Sequence, residues 1–148
     1  DVYAREIKDP GRAIDTYLNV LHLDESDVDA LYALSRLYEK TEDHAASIDT
    51  LQRLSLLVRD PAQQVDLHYR IGRVLEDKLG DRHAAVEHYQ SAIDVDPAHL
   101  PSLEAMRKVH LDSGDWLAAS RTLEKEIQYQ QSPRVLAKLN VELGNLYR

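Results

Sequence analysis

Residues 71–97 read IGRVLEDKLGDRHAAVEHYQSAIDVDP, and this stretch decides the fold. Its apolar residues recur at steps of three and four, which places them on one face of an α-helix. Gly80 and Asp81 divide the stretch. Glycine accepts the left-handed backbone that ends a helix, and aspartate caps the helix that follows. The stretch therefore predicts two helices joined by a tight turn, which is a helical hairpin.

The same pattern returns along the chain. A shift of 72 residues aligns the sequence with itself, pairing Ala13 with Ala85, Tyr17 with Tyr89, Leu31 with Leu103, Leu51 with Leu123 and Gly72 with Gly144. A shorter period lies within it, since equivalent residues are 37, 35 and 37 positions apart at Leu34, Ile71, Met106 and Leu143. One hairpin cannot bury its apolar face alone, so neighbouring hairpins are expected to stack.

We therefore predict an all-α protein, in which antiparallel helix hairpins stack into a right-handed α-solenoid. Helix N-caps are predicted at six residues, the first three of them directly before a proline: Asp9, Asp60, Ser132, Asp43, Asp81 and Asp115. Helices are predicted near residues 1–8 (in part), 10–24, 27–41, 43–59, 61–79, 81–94, 98–113, 115–131 and 133–148. The predicted repeats of this single array are a partial unit at about 1–26, units at 27–60, 61–97 and 98–132, and a partial unit at 133–148.

These residues resemble the tetratricopeptide repeat, whose first helix carries Leu-Gly-x-x-Tyr and whose second carries Ala-x-x-x-aromatic, often followed by proline. The first half is matched at residues 143–147, and the second at residues 85–89 with proline at position 97. The unit at residues 106–110 departs most, because Arg107 replaces the small residue and His110 the aromatic one. The resemblance implies a superhelix whose first helices line a concave groove that takes a peptide or a partner helix.

The resemblance also implies where a partner binds. The predicted groove surface comprises nine residues of the first helices: Tyr32, Arg36, Glu39, Lys40, Tyr69, Arg73, Glu76, Glu104 and Lys108. Tyrosine and arginine recur at equivalent places on it, and both are typical interface anchors. The alternative is that these are solvated residues in i,i+3 and i,i+4 pairs, such as Arg73 with Glu76. The lysine and asparagine clamp by which some family members hold a chaperone tail is absent as a pattern.

Composition argues against several classes of protein. The chain has 148 residues and a formal net charge of −8, so nucleic acid is not an expected partner. It has no cysteine, and no apolar run approaches the ~20 residues of a membrane span. A phosphate-binding loop, a nucleophile elbow and a His-Glu-x-x-His motif are all missing. We therefore expect no enzyme, no cofactor and no metal site.

Three further positions carry specific expectations. His83 and His88 lie about 140° apart around a helix and do not converge on a metal, and His68 stands alone near a helix start. His110 is expected to be partly buried and to make packing sensitive to pH near ~6.5. Trp116 is expected to pack between neighbouring hairpins, with an exposed interface anchor as the alternative.

Both ends of the sequence carry apolar repeat faces, with Tyr3 and Ile7 at one end and Leu139, Leu143 and Leu146 at the other. We therefore expect a part of a longer array, whose copies could stack head to tail or whose ends simply fray. The expected function is a non-enzymatic protein-interaction scaffold. The alternative is a structural spacer or self-associating rod segment of a larger protein. A cytoplasmic location is expected, as is usual for such arrays.

Overall fold

The computed structural model describes residues 9–148. Eight helices lie within them: α1 Pro10–Leu23, α2 Val28–Lys40, α3 His44–Leu57, α4 Pro61–Asp77, α5 Arg82–Val95, α6 Leu100–Asp112, α7 Trp116–Tyr129 and α8 Pro133–Leu146. The described part contains no strand, which confirms the all-α prediction. The helix predicted near residues 1–8, with Tyr3 and Ile7, lies outside the described residues. None of the helices described is long and apolar enough to cross a membrane.

Polar side chains fix where the helices begin. At seven of the eight helices an N-cap side chain accepts a hydrogen bond from the backbone N–H three residues on; the caps are Asp9, Asp27, Asp43, Asp60, Asp81, Asp115 and Ser132. All six predicted caps are among them. The exception is α6, where His99 makes no side-chain cap bond. Each such bond satisfies one of the backbone donors that the first turn of a helix leaves unpaired.

The turns within the hairpins need a left-handed residue. Gly80 and Gly114 supply it with φ of 67° and 75°, as the sequence predicted. In the first complete hairpin the same place is taken by Glu42, at φ 58°. A non-glycine residue pays for that conformation with steric strain between its Cβ and the backbone.

The helices stack in chain order. Each described helix packs chiefly against the helix before it and the helix after it, which gives an open array rather than a closed bundle. The core lies between them, and its fully buried large side chains are Leu31, Leu34, Leu51, Leu54, Leu67, Ile71, Tyr89, Leu103 and Leu123. Leu31 and Leu103, one period of 72 apart, are both fully buried, and so are Leu51 and Leu123.

A buried ion-pair network replaces the usual packing in the third hairpin. Arg107 is only 8% exposed, and its Nε lies 2.5 Å from Oε2 of Glu126, which is 4% exposed. Its Nη1 lies 2.7 Å from Oε2 of Glu142, so the guanidinium joins α6 to α7 and α8. Burial raises the pKa of Glu126, although the Arg107 cation opposes that rise. A buried charge is tolerated only with such a partner, and this explains how arginine replaces the small residue of the motif.

The expectation that Trp116 packs between hairpins was wrong. The indole is 58% exposed, and the neighbouring Leu117 is 62% exposed. The reason is its place in the hairpin: it is the first residue of α7, beside the turn, where α6 has already ended at Asp112.

Candidate partner-binding groove

The first helices of the hairpins are α2, α4, α6 and α8, and a groove lies between the first two of them. It has a volume of about 460 Å³ and is lined by Asp29, Tyr32, Ala33 and Arg36 of α2 and Gln63 of α4. Two of the predicted residues, Tyr32 and Arg36, therefore lie together. Arg36 is exposed, and it takes part in none of the ion pairs found among residues 9–148.

Tyr32 differs from the expectation of an exposed ring. It is half-buried and packs against the hydrophobic core, and burial raises the pKa of its hydroxyl. The ring therefore forms the apolar floor of the groove, while the Arg36 guanidinium one turn further along α2 stands at its rim.

The remaining predicted residues of α2 do not join this groove. Glu39 accepts a hydrogen bond of 2.7 Å from Nη2 of Arg70, which ties α2 to α4. Lys40 is exposed at the end of α2. Arg70 was not among the predicted residues, and no motif of the sequence singles it out.

The predicted residues of α4 are occupied by one another and by the core. The ring of Tyr69 is half-buried, with its centroid 5.9 Å from that of Tyr89 and 5.5 Å from that of His99. Nη2 of Arg73 lies 2.7 Å from Asp77, and its Nη1 lies 3.8 Å from Glu76. Tyr69 and Arg73 thus do not repeat the open arrangement of Tyr32 and Arg36.

Two donors share the carboxylate of Glu76. Besides facing Arg73, the carboxylate accepts a hydrogen bond of 2.8 Å from the hydroxyl of Tyr89. Burial and this bond together raise the pKa of Tyr89. Glu76 is therefore a half-buried structural partner, and not the exposed groove residue that the sequence predicted.

On α6 the predicted residues Glu104 and Lys108 pair with each other over 3.0 Å, one turn apart. Both side chains remain about half exposed. The i,i+4 pairing that the sequence left as the alternative is thus observed for Arg73 and Lys108, but not for Arg36.

A second concavity lies on the other side of α4. It has a volume of about 400 Å³ and is lined by Pro61, Ala62, Val65, Asp66, Val95, Asp96 and His99. His99 connects it to Tyr69, because the two rings meet edge to face. Sequence reasoning missed this place, since it is formed where the α5–α6 turn passes the start of α4.

Comparison with known proteins agrees with this architecture. Two family models, both described as tetratricopeptide repeat, match residues 30–65 and 65–99. A crystal structure of MamA covers 84% of this chain and 71% of its own, with 24% identity and a TM-score of 0.68. A second crystal structure, of MamA protein, covers 86% of this chain and 72% of its own, with 24% identity and a TM-score of 0.60. No curated protein matches the sequence.

At this identity the solved structures establish the fold, and the family models establish the repeat. The solved structures and the family models both agree with the linear stacking of the hairpins. They also agree with the pattern of small and large residues that forms the repeat motif at residues 71–97. Residues 30–99 are therefore tetratricopeptide repeats, and the chain around them has the solenoid fold of that family.

Proposed function

We propose that this protein is a non-enzymatic interaction scaffold that binds a peptide or a partner helix along the groove of its first helices. The observation that supports this best is the open pair of Tyr32 and Arg36 beside Gln63. An apolar floor with one uncommitted cation at its rim is the arrangement that interface hot spots favour. Tetratricopeptide repeats support a protein partner in general terms.

The groove chemistry favours one kind of ligand segment. Arg36 offers a planar fork of donors that suits a carboxylate. Asp29, about two turns earlier on α2, offers an anion. The half-buried ring of Tyr32 lies between them and suits an aliphatic or aromatic side chain. We therefore expect a short segment that combines an acidic residue with an apolar one.

The second candidate is a structural spacer in a larger protein. The ties between hairpins favour it, namely the Glu39–Arg70 pair and the Arg107 network, because they stiffen the array without needing a partner. A spacer leaves the groove of Tyr32 and Arg36 without a ligand, whereas a scaffold does not. We expect the scaffold to act in the cytoplasm.

The decisive experiment is selection of peptides from a random displayed library on the 148-residue chain, followed by calorimetric titration of the selected peptide. Arg36→Ala should weaken binding by roughly 5- to 30-fold, which corresponds to about 1–2 kcal/mol. Because Arg36 is exposed, its loss should leave the melting temperature unchanged. Tyr32→Ala is a poorer probe, since that ring also packs on the core.

Arg121 provides the matched control, as an exposed arginine on the second helix α7. Arg121→Ala should leave the affinity within a factor of about two. Equal losses in the Arg36 and Arg121 variants would indicate only general electrostatic attraction. A library that yields no binder to the wild-type chain would favour the spacer.

A further inference from the structure

Two histidines from different helices meet in the second hairpin. Nδ1 of His68 on α4 lies 3.3 Å from Nδ1 of His88 on α5, a separation at which one neutral imidazole can donate its Nδ1–H to the other. The ring centroids are 5.6 Å apart and the ring planes differ by 30°, so the two rings meet through their Nδ1 edges and not face to face. Both side chains are half-buried, so solvent still reaches the pair. Sequence reasoning treated the two residues separately, because they are 20 positions apart.

The flanking hairpins do not contain such a pair. The places of His68 and His88 are taken in the first complete hairpin by Leu31 and Thr50, and in the third by Leu103 and Thr122. All four of these residues are buried, and each threonine hydroxyl donates to a carbonyl of its own helix. Leucine and threonine therefore suffice for packing at this position, and the two imidazoles are not explained by packing.

The separation of the two nitrogens matches that of metal ligands. Imidazole nitrogens bind zinc at ~2.0–2.1 Å, so two of them at a tetrahedral ion are ~3.3–3.4 Å apart. In the neutral tautomer that carries its proton on Nε2, Nδ1 has a free lone pair, and a metal ion binds through that lone pair. We propose that His68 and His88 together bind a divalent transition-metal cation through their Nδ1 atoms, with water in its remaining positions.

The environment suits this role. Burial lowers the pKa of both imidazoles, and the neighbouring His68 lowers that of His88 further, so the neutral form that binds metal predominates at neutral pH. No group of three or more metal-binding side chains lies within the described residues, so that part of the chain supplies two ligands here. Two nitrogen ligands favour copper, nickel and zinc over manganese, and they disfavour magnesium and calcium, which prefer oxygen.

The test is titration of the untagged chain with ZnCl₂ and NiCl₂, followed by calorimetry and by the melting temperature. The wild-type chain should bind one ion and melt at a higher temperature with it. His68→Gln and His88→Gln should each weaken binding by about tenfold or more, since weaker changes in a metal's surroundings already cost that much. MgCl₂ should have no effect.

One double variant separates binding from folding. His68→Leu with His88→Thr installs the pair of the flanking hairpins, so it should fold normally and lose the ion. His83→Gln is the matched control, because that residue is an exposed histidine of the same helix α5. The proposal is overturned if the wild-type chain binds neither ion up to millimolar concentration, or if the double variant binds as the wild type does.

Discussion

The ring of Tyr89 lies directly against the backbone of Gly72. A Cβ atom built on Gly72 would stand 2.5 Å from Cε1 and 2.7 Å from Cδ1 of that ring. The ring has little room to retreat, because Tyr89 is fully buried and its hydroxyl is hydrogen-bonded to Glu76. Glycine at this position is therefore what allows α4 and α5 to approach so closely.

Replacement of Gly72 by alanine is expected to destabilise the protein by about 1–3 kcal/mol through overpacking. The internal control lies one period away, at Gly144, where nothing stands within 4 Å of a built Cβ. Gly144→Ala should leave stability unchanged or raise it by up to about 1 kcal/mol, since alanine is the better helix former. Urea denaturation of both variants measures the difference, and equal effects would contradict the packing described.

The ion pair of Arg107 and Glu126 gives a second prediction. Arg107→Ser leaves the buried carboxylate without its cation and should cost about 3–5 kcal/mol. The double variant Arg107→Ser with Glu126→Leu reproduces the first complete hairpin, where Ser35 and Leu54 are fully buried. That variant should recover most of the loss, because it leaves no unpaired charge in the core.

A double-mutant cycle of these two positions in urea measures their coupling. Glu142 provides the comparison, because its side chain is 46% exposed and its pair with Arg107 is partly screened by solvent. Glu142→Gln should therefore cost much less than Arg107→Ser. If the Arg107 and Glu126 effects simply add, the network does not stabilise the third hairpin as a unit.

Stability is expected to decrease as the solution becomes acidic. Burial lowers the pKa of His68, His88, His99 and His110 below 6.5. The unfolded chain therefore takes up protons at these residues at a higher pH than the folded chain does. Since acid favours the state that binds more protons, the free energy of unfolding should decrease as the pH is lowered past about 6.5.

The variant His110→Tyr tests this pH dependence, because tyrosine occupies the equivalent position at Tyr38 and Tyr147. It should make the decline between about pH 7 and pH 5.5 shallower. His83→Gln, which changes an exposed histidine, should leave the slope as in the wild type. A melting temperature that does not change over this range would rule out the role assigned to the buried histidines.

The left-handed turn at Glu42 can be relieved. Glu42→Gly installs the residue found at Gly80 and Gly114 and should stabilise the protein by about 0.5–1 kcal/mol. The expected gain is modest, because glycine also increases the entropy of the unfolded chain. Gly80→Glu is the reverse experiment and should lower stability by a similar amount. Thermal unfolding followed by circular dichroism measures both.

Much of the fold could be predicted because local chemistry determines it. Aspartate caps the second helix of each complete hairpin, at Asp43, Asp81 and Asp115, and glycine follows the first helix at Gly80 and Gly114. Both effects are local and do not depend on distant parts of the chain. The apolar period then dictates which faces are buried. Repetition reinforces each of these signals, because a weak pattern in one hairpin can be recognised from the same pattern in its neighbours.

The site was harder to predict because it depends on which side chains meet across helices. Arg36 and Arg73 are equivalent in the repeat, yet only Arg73 has Asp77 one turn away to hold it. Tyr69 is engaged by His99 from the following hairpin, and no spacing rule within one helix reports that contact. The pair of His68 and His88 could not be predicted for the same reason. Their equivalents in the first complete hairpin, Leu31 and Thr50, are both buried, which indicates that the two positions lie on the inner sides of their helices.

The proposed scaffold function depends most on the groove between α2 and α4 being the surface that holds a partner. The direct test is the ¹H–¹⁵N spectrum of the labelled chain during titration with a library-selected peptide. We predict that the largest shifts fall on α2 and the start of α4, around Tyr32, Arg36 and Gln63. Shifts confined to the second helices α3, α5 and α7 would contradict it.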